Sequence, residues 1–322
     1  MRFALQNNIQ RMKDDLARYR ITYDQWFLES SLHESGYVAE TIQKLVDGGY
    51  TYEKEGALWF EATRFGAEKD EVMRKSNGFY TYYAVDLAYH RNKFEKRGFH
   101  RVVDVMGADH HGHKVRFKAG LQALGIPSDG LEIVLMQLVN LVRDGEAVRM
   151  SKRTGKVITL SNLLDEINVD AARFFFNSRQ PDTHLDFDLS LAVRQDSENP
   201  VYYVQYAHAR ICSILKLLES EGVPLPETAD FTLLSMPEER ELIRFLAYFP
   251  NEILQAAAAY DPARMTRYCV ELATLFHKFY NNCRVKTDDV PLMHARMLLC
   301  DATRAVIRNA LSILNITAPN QM

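Results

Sequence analysis

Apolar positions change their spacing along this chain, and the changes mark its elements. Residues 1–20 place Phe3, Leu5, Ile9, Met12 and Leu16 near helical intervals, which predicts an amphipathic helix. ITYDQWFLESSL (21–32) reads as extended. SGYVAETIQKLVDGG (35–49) predicts a helix with Ser35 as its cap and Gly48-Gly49 as its stop. YTYEKEGALWFEATRFG (50–66) predicts a hairpin turning at Glu55-Gly56. FYTYYAVDLAYHRNKFEKRG (79–98) predicts a short strand running into a helix. HRVVDVMGAD (100–109) is a β-branched strand, HGHKVRFKAGLQALG (111–125) the helix after it, and LEIVLMQLVNLV (131–142) is strand-like again. RDGEAVRMSKRTGKVITL (143–160) reads as a glycine-punctuated loop with flanking strands. Such strand–helix–strand alternation predicts a parallel sheet in a doubly wound, Rossmann-like α/β domain.

From about Ser161 the pattern is almost purely helical. LSNLLDEINVDAARFFFNSRQ (160–180) and SENPVYYVQYAHARICSILKLLES (197–220) predict helices, a proline-bearing connector follows at 221–239, and three more helices are expected near 237–257, 261–283 and 290–314. The division falls near residue 195: an α/β part over 1–195 and an all-α bundle over 196–322.

Composition narrows the classes. The chain has 322 residues, 47% hydrophobic and 25% charged, with a net charge of −3, an ordinary globular make-up with room for two or three domains. Any nucleic-acid contact must then come from local patches. No apolar run approaches the ~20 residues needed to span a membrane, and the N-terminus has no signal-peptide core. Cys212, Cys269, Cys283 and Cys300 show no C-x-x-C spacing, which reads as free buried thiols in a reducing cytoplasm with no zinc site.

Three stretches carry candidate chemistry. VMGADHHGHK (105–114) contains the letters H-x-G-H as His110, Gly112 and His113. They are open to three readings: a nucleotide-binding motif, a metal site with His111 as a further ligand, or a coincidence at a helix start. Gly107 and Asp109 stand at a strand end, where a glycine lets backbone approach a ligand and an Asp can hold ribose hydroxyls. A tight βα turn with an Asp cap fits the same letters. RMSKR (149–153), between Gly145 and Gly155, carries Arg149, Lys152 and Arg153. Cations on such a loop suit charge building on a leaving pyrophosphate, although a solvated basic loop would look alike. Tyr82 and Asp86 lie four apart and share a helical face once the turn has begun. A carboxylate beside an aromatic ring suits a guanidinium, and a plain helix N-terminus also favours Asp. In the helical region, most Tyr and Phe at helical spacing are bundle core.

These segments together resemble the arginyl-tRNA synthetases, which are class I aminoacyl-tRNA synthetases. The resemblance runs through KDDLARY (13–19), ESGYVAETIQKLVDGGYTYEKEGALWF (34–60), YTYYAVDLAYHRNKFEKRGF (80–99), GADHHGHKVRFKAGLQALG (107–125), VRMSKRTG (148–155), NVDAARFFF (168–176), THLDFDLSLA (183–192), NPVYYVQYAHAR (199–210), ELATLFHKFYNNCRV (271–285) and ITAPNQM (316–322). It implies ATP-dependent activation of L-arginine to arginyl-adenylate, with Mg2+ on the phosphates, and transfer of arginine to tRNA(Arg) in protein synthesis. Tyr82, Asp86 and His110 are then expected at arginine. Gly107, Asp109, Arg149 and Lys152 are expected at ATP, and Met150, Ser151 and Lys152 form the catalytic loop. The region 196–322 resembles the family's anticodon-binding domain, with Tyr206, Arg210, Tyr280 and Met322 as candidate contacts to unpaired bases. No structural metal is implied.

Two departures follow from the same comparison. Arg149 stands where the loop motif usually has Lys. The family's true H-x-G-H motif lies in the first half of the catalytic fold, upstream of every segment here. The chain therefore reads as a C-terminal part of such a synthetase, inactive alone, and the H-x-G-H letters of His110 to His113 as a coincidence. The family is usually monomeric, whereas a truncated sheet should expose a strand edge and apolar surface that favour self-association. The alternatives are a tRNA-binding paralogue without catalysis and a small nucleotidyl transferase using HHGH directly. A cytoplasmic, membrane-free location is expected.

Overall fold

The structure is a computed structural model that describes residues 2–110, 112–148 and 158–322. The chain forms two compact units, one from Tyr23–Leu138 and one from Met1–Thr22 with Val139–Met322. The second unit opens with α1 (Arg2–Arg18), as the spacing of its apolar residues predicts.

The Tyr23–Leu138 unit starts with a short helix, α2 (Ser30–Glu34), inside the stretch expected to be extended, and continues into α3 (Tyr37–Asp47). Ser35 does not cap α3: its hydroxyl donates back to the Ser31 carbonyl, and Gly36 enters the helix at φ 73°. That left-handed entry is one that glycine adopts without Cβ strain. The hairpin of β1 (Thr51–Lys54) and β2 (Ala57–Phe60) turns at Glu55 (φ 54°) and Gly56 (φ 73°). Two consecutive positive φ values match the type I′ turn whose twist suits a two-residue hairpin. β3 (Glu71–Arg74) adds to β2, and the strand expected before the next helix is reduced to a single bridge between Arg74 and Tyr80.

The helix α4 (Tyr82–Glu95) begins where Thr81 caps it. The Thr81 hydroxyl accepts the Ala84 N–H and donates to the Val72 carbonyl at 2.6 Å, which ties the helix start to β3. Then come β4 (Val102–Gly107), α5 (His113–Ala123) and β5 (Leu131–Met136), a right-sized strand–helix–strand unit whose two strands pair in parallel from Val102↔Leu131 to Gly107↔Met136. Gly120 allows α5 to lie close to α4: a Cβ there would meet Leu87 Cδ1 at 2.6 Å and the Tyr83 hydroxyl at 2.9 Å. One sheet face packs Val102, Leu131 and Ile133 into a core with Leu87, Phe117 and Leu121. The other leaves Val105 68% exposed, with Val103 and Met136 exposed beside it.

The remaining unit takes up β6 (Val139–Arg143) and β7 (Glu146–Ala147), then α6 (Leu160–Glu166) and α7 (Val169–Phe176). LEIVLMQLVNLV is thus two strands belonging to different units. A strand, β8 (Leu185–Asp188), interrupts the region expected to be helical, and it pairs in parallel with β6 from Val139↔Leu185 to Val142↔Asp188. After α8 (Leu189–Ala192) come the long helices α9 (Pro200–Ser220), α10 (Pro237–Ala259), α11 (Ala263–Asn282) and α12 (Val290–Ile313). The last three match the expected helices to within a few residues. Their core joins Val204, Ile211, Leu242, Leu272, Phe276, Phe279, Met297 and Ile307. All four cysteines are free and buried, and burial pushes the Cys269 and Cys300 thiols up to about 12. Residue 195 falls inside this unit, between β8 and α9. Among the described residues no helix is long and apolar enough to cross a membrane.

Candidate functional site

Tyr82 is the first residue of α4 and Asp86 lies one turn later, so the helix has begun at both and they share a face. The Tyr82 ring is 85% exposed. The Asp86 carboxylate is half-buried and makes no hydrogen bond or ion pair among the described residues. Burial pushes its pKa above the ordinary carboxyl value, with Glu29 and Asp104 adding to the rise and His90 and Lys93 opposing it. A half-desolvated carboxylate beside an open aromatic ring lacks only a cation. A guanidinium fits both, by paired hydrogen bonds to the oxygens and by its face on the ring.

Behind Asp86 lies a cluster that spacing did not single out. His90 receives its orientation from α4 itself, because its Nδ1 donates to the Asp86 backbone carbonyl at 2.7 Å. Its Nε2 contacts the carboxylate of Asp104 on β4, and Lys93 donates to the other Asp104 oxygen at 2.7 Å. Burial opposes ionisation of Asp104, yet the His90 and Lys93 contacts outweigh it and pull the carboxyl down to about 2. A signal was present in the sequence: in RVVDV the aspartate occupies an inward position of an alternating strand, where charge persists only when paired.

A pH prediction follows. The folded pKa of Asp104 is depressed from 3.8 to about 2, so its contribution is full above the ordinary value and disappears as pH falls through about 2. That shift corresponds to about 2 kcal/mol. Urea melts of the chain and of Asp104→Asn should therefore differ by about that amount near pH 6 and converge toward pH 2.

Gly107 ends β4, and Asp109 and His110 follow in a single 3-10 turn. The Asp109 carboxylate folds back over Gly107, where a Cβ would meet Oδ1 at 2.7 Å. His113 is the first residue of α5, its ring edge-on to His110 at 4.7 Å and to Phe117 at 5.3 Å. Burial, with Arg116 and His110 nearby, lowers the His113 pKa. No hydrogen bond or ring contact among the described residues joins Tyr82 or Asp86 to Gly107, Asp109 or His110. What links the two groups is structural: Phe117 stacks on Tyr83 at 5.8 Å, and His90 bridges Asp86 to Asp104, three residues before Gly107. Arg149, Met150, Ser151 and Lys152 lie outside the described residues, as does His111.

The helical unit assembles its four candidates. Tyr202, Tyr206 and Arg210 recur every four residues on α9. The Arg210 guanidinium sits over the Tyr206 ring at 5.1 Å and over the Tyr280 ring of α11 at 4.6 Å. Tyr206, Arg210 and Met322 line one open cavity of about 410 Å3 with Ser213 and Gln321. A neighbouring cavity of similar size is lined by Tyr202, Tyr203, Tyr206, Arg210 and His277. Tyr202 stacks on Tyr206 at 6.3 Å, and Tyr206 on His277 at 6.1 Å. Burial, reinforced by Arg210, lowers the His277 pKa to about 4, so this ring is neutral at pH 7. Neutral rings beside one cation have the chemistry that suits stacked unpaired bases and a phosphate counter-charge. Tyr202, Tyr203 and His277 join the candidates here; the signal for the last of them was its place between Phe276 and Phe279, both spaced into the core, which turns His277 off the core line.

Comparison with known proteins decides the family. A family model described as tRNA synthetases class I (R), catalytic domain, matches residues 4–207, and one described as DALR anticodon binding domain matches 204–322. The chain belongs to the arginyl-tRNA synthetase family. The arginine–tRNA ligase of Ruminiclostridium cellulolyticum is 56% identical over 99% of this chain and 57% of that protein, and that of Acetivibrio thermocellus is 54% identical with the same coverage. A crystal structure from Campylobacter jejuni described as that of an arginyl-tRNA synthetase is 34% identical with a TM-score of 0.89, covering 99% of this chain and 69% of the other. The Thermus thermophilus arginyl-tRNA synthetase shares the fold at a TM-score of 0.82 and 21% identity, covering all of this chain and 65% of the other. The chain thus spans 57% of the length of the two ligases it matches. The synthetase-type α/β part followed by a helical anticodon-binding domain is the architecture expected from the sequence.

Proposed function

We propose that this chain contributes arginine recognition and tRNA(Arg) binding to an arginine–tRNA ligase, which activates L-arginine with ATP and transfers it to tRNA. The observation that carries the reading is the Asp86 carboxylate, half-buried and without a hydrogen bond or ion pair among the described residues, one helical turn after an exposed Tyr82. In this reading Tyr82 and Asp86 hold the guanidinium, with His110 near the arginine. Gly107 and Asp109 face ATP together with Arg149 and Lys152. Met150, Ser151 and Lys152 supply the catalytic loop, and Lys152 stabilises charge on the departing pyrophosphate. Mg2+ travels with the ATP phosphates. Residues 196–322 read the anticodon through Tyr206, Arg210, Tyr280 and Met322, supported by the stacked rings and the two cavities around Arg210. The proposed location is the cytoplasm.

The chain by itself is proposed not to form arginyl-adenylate. Supporting this, the rest of the matched ligases' length has no counterpart in this sequence. The uncovered β4–β5 face with Val105 favours self-association of the chain alone. ATP–pyrophosphate exchange with arginine and tRNA(Arg) is expected to stay at background for the purified 322 residues. Exchange at the rate of a complete ligase would overturn the proposed inactivity.

A further inference from the structure

The last nine residues of the chain, 314–322, form no helix or strand, yet they are held at almost every second residue. Arg173 donates from Nε to the Leu314 carbonyl at 2.7 Å. Asn315 exchanges hydrogen bonds with Arg20: its side chain donates to the Arg20 carbonyl, and the Arg20 guanidinium donates to the Asn315 carbonyl, both at 2.9 Å. His208 donates from Nδ1 to the Pro319 carbonyl at 2.9 Å, and burial lowers the pKa of that imidazole. Cys212 meets the Asn320 side chain at 3.5 Å.

The centre of this arrangement is Asp170, near the start of α7 and 5% exposed. Four donors converge on its carboxylate: Arg20 Nη1 at 2.5 Å, Gln205 Nε2 at 2.9 Å, the Thr317 N–H at 3.2 Å and the Thr317 hydroxyl. Gln205 also donates to the Thr317 carbonyl at 2.9 Å, so one α9 side chain grips both Asp170 and the tail. Gln205 is the residue before Tyr206, and Met322 lies five residues after Thr317. Helix α9 and the tail meet again at the cavity lined by Tyr206, Arg210 and Met322.

We propose that Asp170 is a positioning residue for the anticodon site, clamping the C-terminal segment so that Met322 stands beside Tyr206 and Arg210. The inference rests on the anticodon reading above and adds a residue that lies outside that site. The chemistry requires a carboxylate. Its two oxygens are all acceptor, and every neighbour is a donor. An asparagine would turn an NH2 group either toward Arg20 and the Thr317 N–H, or toward the Gln205 NH2 with only the Thr317 hydroxyl able to turn round and accept, so in both cases at least one donor loses its acceptor. Beyond Thr317 only two side-chain contacts remain, His208 with the Pro319 carbonyl and Cys212 with the Asn320 side chain, so losing the four-donor clamp loosens the end of the tail and leaves the helices standing.

The test uses the full chain and the variants Asp170→Asn, Thr317→Val, deletion of Met322, and Asp170→Asn with that deletion. Carboxypeptidase is expected to remove the C-terminal residues from folded Asp170→Asn about tenfold faster or more than from the parent, because local opening governs cleavage. Titration with tRNA(Arg) at one fixed salt concentration should show Kd raised by about tenfold in Asp170→Asn and in the Met322 deletion, and no further in the double variant. Thr317→Val, which removes one donor and keeps the charge, should show the same changes in smaller degree. It also decides the matter should Asp170→Asn fail to fold. Tail release at the parental rate in a folded variant overturns the clamp, and so does an Asp170→Asn effect on tRNA that persists undiminished without Met322. A Met322 deletion that leaves tRNA binding unchanged instead overturns the anticodon reading, while the release rate still decides the clamp.

Discussion

Asp86→Asn is expected to abolish useful arginine recognition, weakening arginine binding by about 100- to 1000-fold. The measurement is titration calorimetry on a chimera in which a relative's N-terminal part is joined to this chain. The magnitude comes from the environment of the carboxylate. Asp86 is half-buried and makes no other ion pair among the described residues, so its substitution leaves a guanidinium facing a neutral amide in a partly desolvated site. The sign with pH is set by the same burial. Because the pKa is raised, protonation of Asp86 begins at a higher pH than for an ordinary aspartate, and arginine affinity should fall off as pH drops through that raised value. Asp86→Asn should remove this acid limb altogether. An arginine affinity that survives the substitution within a few-fold would place guanidinium recognition elsewhere.

Glu239→Ala should be the most damaging single change to the helical unit. Glu239 is fully buried near the start of α10, where it accepts the Met236 N–H at 2.9 Å and the Arg296 Nε–H at 2.7 Å. Arg296, on α12, also donates from Nη1 to the Arg284 carbonyl at 2.7 Å. Removing the carboxylate strands a buried guanidinium, a loss of about 3–5 kcal/mol out of a total of about 5–15. The corresponding drop in melting temperature is about 10 °C or more for a unit of this size. The paired change Glu239→Leu with Arg296→Met tests the cause. Replacing both ions by apolar groups of similar volume should restore most of the lost stability, because the desolvation of two charges disappears along with their attraction. If the double variant melts as low as the single one, the pair is not what Glu239 contributes.

The sequence made the local features readable and left the long-range ones hidden. Helices α9 to α12 follow from apolar spacing and from proline and glycine stops, both of which act within a few residues. The Glu55-Gly56 hairpin was equally legible, since a two-residue turn between alternating strands has few other solutions. β8 was missed because LDFD is four residues long with two aspartates, and its strand geometry depends on a parallel partner 46 residues earlier, as in the pairing of Asn140 with Asp186. The run LEIVLMQLVNLV hid its division for the same reason: nothing in its apolar letters says that β5 pairs with β4 while β6 pairs with β8. Within the candidate sites, Tyr82 and Asp86 were visible because four residues is a helical repeat. Asp170 was not, since its partners lie 35, 147 and 150 residues away.

The division of the chain also orders events while it is being made. The Tyr23–Leu138 unit is continuous, whereas its companion needs both α1 and everything after Val139. The first of these can therefore close on the ribosome as soon as β5 emerges. Helix α1 cannot: Arg18 pairs with Asp165 and Ser161, and Tyr19 packs on Phe176. So α1 waits without Ser161, Asp165 and Phe176 through the translation of more than a hundred further residues. Over that interval the face of α1 that meets Asp165 and Phe176 is open to a chaperone or a protease.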